Sequence, residues 1–133
     1  MYDIPRPLTL DEIILQGGIE GSEEAYEDVN GFDYSGQDNA FLYYGGDEFN
    51  GGKPFTGLYY ERYPTGQLEM YAFYQDGMPK DFCFAFYKNG KVKSYSYFSE
   101  DKMNNYCYLF DEEGKMIRAD IWENGKLTQK RFE

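Results

Sequence analysis

Glycine returns every 24 residues through the second half of this chain, at Gly66, Gly90 and Gly114. A second turn keeps the same step: Gln75-Asp76-Gly77, Ser99-Glu100-Asp101-Lys102 and Glu123-Asn124-Gly125, with Asp101 standing where the outer units have glycine. Three units therefore align without a gap, at 57–80, 81–104 and 105–128. A partial earlier unit leads in from Phe41-Leu42-Tyr43-Tyr44 to Gly51-Gly52-Lys53-Pro54, and a truncated strand, Gln129-Lys130-Arg131-Phe132, trails out. Self-similarity at a fixed period is the mark of a stacked architecture, in which each unit buries its apolar surface against its neighbours.

Each unit holds two runs rich in Tyr and Phe, divided by turn residues. Asp76-Gly77, Asn89-Gly90 and Asn124-Gly125 have the composition of two-residue hairpin turns, which need positive φ. Pro64-Thr65-Gly66 is a turn of another type. Turns this closely spaced predict an antiparallel meander, and the aromatic and β-branched content argues against helices. The expected fold is mainly β: a single-layer antiparallel β-meander of repeated hairpins over 41–133. A small, partly helical acidic segment over 1–40 caps it within one domain.

Side chains alternate between the two faces of a strand. One face carries Leu58, Tyr60 and Arg62, then Phe82, Phe84 and Phe86, then Tyr106, Tyr108 and Phe110. It is the more apolar and is expected to be buried. The other carries Tyr59, Glu61 and Tyr63, then Cys83, Ala85 and Tyr87, then Cys107, Leu109 and Asp111. Its remaining aromatics require cover, from within the chain or from a partner. Cys83 and Cys107 occupy the same repeat position and so lie two strands apart. At ~4.8 Å per strand that is ~10 Å, beyond the reach of a disulfide, and both are expected as reduced, small apolar packers.

The N-terminal third is different. Thr9 and Glu12 form a capping-box pair, Leu8 and Ile13 fit the hydrophobic staple, and Leu10, Ile13 and Ile14 share a face ahead of Gly17. A second short helix is expected from Ser22 to Val29. Residues 1–50 contain twelve acids opposed by Arg6 alone, which accounts for the whole net charge of −11; the rest of the chain balances to zero. A one-signed field of this strength attracts a basic partner and disfavours nucleic acid and anionic membrane. The plainer account is solubility for an aromatic-rich protein, and the two remain open on sequence grounds.

The chain contains no histidine. That removes the commonest general base, the histidine-dependent nucleophile systems and the usual zinc and iron ligand sets. Carboxylates are abundant, but no pair is singled out by spacing, so the expectation is a non-enzyme without cofactor or metal. Asp28-Val29-Asn30-Gly31 and Asp33-Tyr34-Ser35-Gly36 lack the alternating ligands of a calcium loop and read as turns. Lys91, Lys115 and Lys126 follow turn glycines and read as hairpin solubilisers. The first residues lack the basic start and apolar stretch of a secretory signal, and no apolar run nears the ~20 residues of a membrane span, so a cytoplasmic location is expected.

The Tyr-rich strand and turn Phe86-Tyr87-Lys88-Asn89-Gly90-Lys91-Val92 resemble the bacterial MORN-variant repeat of YwqK-type antitoxins. Gly52-Lys53-Pro54-Phe55-Thr56-Gly57-Leu58-Tyr59 is similar to that family's Gly-Lys-Pro-Phe-Thr-Gly junction, and Glu123-Asn124-Gly125-Lys126-Leu127 to its turn. The resemblance covers about residues 41–132 and departs at Asp101 and at Glu112-Glu113-Gly114. It implies an antitoxin or immunity protein of a polymorphic toxin system, which binds one toxin in the cytoplasm and blocks it. Toxins that cleave nucleic acid present basic surfaces, which suits the charge. The expected contact residues are Glu20, Glu23, Glu24, Glu27, Asp28, Asp33, Asp38, Asp47 and Glu48, with Tyr59, Tyr63 and Tyr87 as anchors, in a protein expected to be monomeric. The alternative is a repeat scaffold for protein–protein or membrane-surface contacts.

Overall fold

The computed structural model describes residues 4–21, 32–35, 41–46, 51–99 and 104–132. In chain order these form α1 (Leu10–Leu15), β1 (Ile19–Glu20), β2 (Phe32–Ser35), β3 (Phe41–Tyr44), β4 (Lys53–Pro54), β5 (Gly57–Arg62), β6 (Leu68–Gln75), β7 (Met78–Phe86), β8 (Val92–Phe98), β9 (Tyr106–Phe110), β10 (Met116–Glu123) and β11 (Lys126–Arg131). Strands β5 to β11 pair consecutively and antiparallel, and β1 joins β5 in parallel, completing an eight-stranded sheet. The expected meander is therefore present, with one parallel edge strand. The second short helix falls at residues outside the described set.

Two kinds of turn alternate. At 76–77 and 124–125 both residues have positive φ (Asp76 51°, Gly77 85°; Asn124 51°, Gly125 79°), the backbone of a tight primed hairpin. The turns at Gly66, Gly90 and Gly114 are wider. The amides of these glycines donate to the carbonyls of Tyr63, Tyr87 and Asp111, at 2.8, 2.9 and 3.0 Å. Only the glycine in each takes a left-handed φ. Asn89-Gly90 is thus not the two-residue turn its composition suggests. Asn89 keeps negative φ because its side chain works instead, accepting from the Lys91 amide at 2.9 Å and donating to the Glu112 carbonyl at 2.9 Å.

The core is a row across the sheet. Tyr60, Tyr71, Phe84, Tyr95, Tyr108 and Ala119 are successive register partners, and all are buried. Their rings meet at 5.4 Å (Tyr71–Phe84), 4.8 Å (Phe84–Tyr95) and 6.2 Å (Tyr95–Tyr108), and such pairs add about 0.5–1.5 kcal/mol each beyond their burial. Burial pushes the Tyr95 phenol well above its usual range. This is the face that reads as the more apolar in the sequence.

The opposite face departs from a single layer. A small sheet in the order β2-β3-β4 lies over β5 and β6, and its Leu42, with Phe55, packs on Tyr59, Ala72 and Tyr74. Backbone bonds tie the small sheet to the turn between β6 and β7: the Leu42 amide donates to the Gly77 carbonyl and the Gly77 amide to the Phe55 carbonyl, while the Phe55 amide donates to the Leu42 carbonyl, each at 2.8 Å. The large rings of Tyr59 and Tyr74 need this cover. Farther along, the same face carries small groups, with Cys83, Ser96 and Cys107 in one row. Those cysteines are free thiols two strand steps apart, and burial pushes the Cys83 thiol up to about 12.

The N-terminal turn closes the aromatic face at β5 and β6. The Thr9 hydroxyl accepts from the Glu12 amide and the Glu12 carboxylate accepts from the Thr9 amide, completing the capping box. Ile13 is fully buried in the main cluster and Leu8 packs beside it; burying one such side chain is worth about 1.5–3 kcal/mol. Ile14, expected on the same face, is 52 % exposed, because a helix of six residues presents only one narrow stripe.

Candidate functional site

Between this turn and the sheet lies a cleft of about 480 Å³, walled by Leu8, Leu58, Tyr71, Phe73, Phe82 and Phe84. Its size is that of a site for a small organic group or a side chain. The back wall is ordered by one bond: the Tyr71 hydroxyl accepts from the Leu8 amide at 2.8 Å. Burial pushes the Tyr71 phenol up, so it stays neutral. Phe73 and Phe82 remain 39 % and 40 % exposed, although Phe82 stacks on Tyr95 at 5.6 Å and meets Tyr97 at 5.4 Å.

A bulge shapes the mouth. Ala72 pairs with Cys83 but Phe73 pairs with Lys80, leaving Asp81 and Phe82 as extra residues opposite β6. Asp81 takes φ of +61°, a backbone state that costs an aspartate less than most residues. Arg6, also at the rim, is committed: its guanidinium grips the Glu12 carboxylate through two bonds of 2.9 Å. This contact and the Thr9 amide hold the Glu12 carboxyl down to about 2. Asp81 is exposed and forms no ion pair among the described residues, so the rim carries a net negative charge beside an apolar hollow.

Of the residues expected at a partner surface, Glu20, Asp33, Tyr59, Tyr63 and Tyr87 are described. Glu20 pairs with Arg62 at 2.9 Å, between sheet and N-terminal strand. Asp33 lies in β2 opposite Tyr43. Glu23, Glu24, Glu27, Asp28, Asp38, Asp47 and Glu48 lie outside the described residues. Tyr59 has no exposed surface: it packs beneath the second sheet and its hydroxyl donates to the buried Glu61 carboxylate. It serves the core because the extra sheet covers the face on which it points. Tyr63 and Tyr87 are half-buried, their hydroxyls spent on the carbonyls of Phe86 and Phe110 and their rings lying under Lys88 and Lys93 at 5.6 and 5.8 Å.

Strand alternation places Phe82 on the apolar face with Leu58 and Phe84, but does not reveal the bulge at Asp81 or the cleft it shapes with Phe73. One signal was available: in the three aligned units, the first residue is Gly57, Asp81 and Asn105, types that tolerate left-handed backbone. Gly57 and Asp81 both use it. No protein-family model, no curated protein and no solved structure matches this chain. Among the described residues, no helix is long and apolar enough to cross a membrane.

Proposed function

We propose that the chain is a protein-binding module that neutralises a basic bacterial toxin, a nuclease in the simplest case, in the cytoplasm. The observation that carries this reading is the distribution of charge along the chain: all of the net −11 sits in residues 1–50, and residues 51–133 balance to zero. A field of this kind steers a cationic protein to the surface and holds its orientation. The Tyr-rich hairpins, read as MORN-variant units of 24 residues, supply a stiff support that loses little entropy on binding. Occlusion of a basic cleft on the toxin would then be enough, without chemistry by this chain.

Co-expression with the toxin encoded beside it tests the reading: rescue of growth and a stable complex are expected, and neither appearing ends it. Reversing Glu23, Glu24, Glu27 and Asp28 to lysine should slow association and weaken its dependence on salt. An on-rate that does not change assigns the acids to solubility. A scaffold acting at membranes would instead pellet with anionic liposomes.

A further inference from the structure

The cleft beside the N-terminal turn has three features that converge on one kind of occupant. Its walls are aromatic and aliphatic, and two of its rings, Phe73 and Phe82, retain about two-fifths of their surface in contact with solvent. Its mouth is shaped by a bulge whose Asp81 holds a left-handed backbone, a feature that recurs where a strand is bent to aim side chains at a ligand. Its one uncompensated charge is negative, since Arg6 is neutralised by Glu12 while Asp81 is exposed and unpaired among the described residues. An apolar group seated in the hollow would displace water from the rings, and a cation beside it would meet the Asp81 carboxylate.

We propose that this cleft is a socket for an apolar side chain that a partner protein presents next to a lysine or arginine, the cation pairing with Asp81. That the partner is a toxin rests on the reading above; the chemistry of the socket does not. Basic proteins that bind nucleic acid place apolar residues among cations on their surfaces, so the socket would add a fixed docking point to long-range attraction. A partner lacking the cation would forgo the pairing with Asp81, which gives the socket a modest preference for one that carries it.

The test uses the full chain, isotope-labelled, and two capped peptides: acetyl-Gly-Lys-Phe-Gly-amide and the same peptide with Glu in place of Lys. The lysine peptide should move the amide resonances of Leu8, Leu58, Phe73 and Phe82 with a Kd of about 1–10 mM, as befits a contact of about ten heavy atoms. The glutamate peptide should bind about fivefold more weakly or worse. Asp81→Asn, which keeps a residue suited to left-handed backbone, should bring the two peptides within about twofold of each other. Phe73→Ala should weaken both, and its unperturbed resonances outside the cleft check that it folds. Equal binding of the two peptides to the unaltered protein, shifts centred elsewhere, or no shift at 10 mM (about the upper end of such contacts) would overturn the proposal. Failure of toxin rescue with the peptide preference intact removes the toxin and keeps the socket; the converse removes the socket alone.

Discussion

The hydroxyl of Tyr87 donates to the carbonyl oxygen of Phe110 at 2.7 Å, and the hydroxyl of Tyr63, 24 residues earlier, donates to that of Phe86 at 2.5 Å. Each bond fastens the wide turn of one hairpin to a strand end of the next hairpin, beside a register shift in the ladder. Phenylalanine at either position keeps the ring and deletes the bond. Tyr63→Phe and Tyr87→Phe should each cost about 0.5–1.5 kcal/mol in urea unfolding. The double variant should be additive within about 0.5 kcal/mol, since the sites share no partner. Stabilities equal to the parent would mean the carbonyls are equally well served by water.

Gly21 lies under the ring of Tyr59. A Cβ there would come within 2.0 Å of the ring, while the Gly21 amide donates to the Tyr60 carbonyl at 2.8 Å and holds the backbone in place. Tyr59 is fully buried and has nowhere to go. Gly21→Ala should therefore destabilise by about 1–3 kcal/mol or more, the usual cost of overpacking. A denaturation midpoint that does not move would show that the N-terminal strand detaches without loss.

The Arg6–Glu12 contact gives an acid-sensitive N-terminal turn. Glu12 titrates at about 2 when folded against an ordinary 4.5, chiefly through the Arg6 hydrogen bonds. A lowered carboxylate stabilises fully above its unfolded value, and that stability drains away as pH falls from 4.5 through about 2. Side-chain carboxyl NMR should find Glu12 near the bottom of this window, and Arg6→Gln should move it toward 4.5. A Glu12 titration already at the ordinary value would dissolve the claim.

Cys83 should be a slow thiol. With its titration pushed up to about 12 by burial, the thiolate is scarce at pH 8, and alkylation should be about 10³-fold slower than for a free cysteine. Reaction at the normal rate should appear once the protein is unfolded in urea. Rapid labelling of the folded protein at Cys83 would show that its thiol opens to solvent.

The long sheet was legible because its signals are local: Asp76-Gly77 and Asn124-Gly125 turn as their residues require, and alternation placed Tyr60, Phe84 and Tyr108 on the buried face. The capping box was legible for the same reason. What escaped depends on contacts distant in sequence. Tyr59 reads like Tyr63, and only the strand at Phe41–Tyr44 folding back onto it makes one a core residue and leaves the other at half-exposure. The cleft escaped because alternation puts Phe82 on the apolar face but does not report that a two-residue bulge parts it from β6, leaving Phe73 opposite Lys80. Asn89 shows the limit of turn composition, since the same dipeptide serves a wider loop when its amide finds work elsewhere.

The last strand, β11, pairs with β10 along one side and is exposed along its whole length. Its other side is an open template for hydrogen bonding, guarded by Lys126, Lys130 and Arg131 and by no covering element among the described residues. Electrical repulsion between like margins, and not steric shielding, is then what would oppose pairing of two copies there. Neutralising those three cations would remove that repulsion and leave the margin free to accept a second strand.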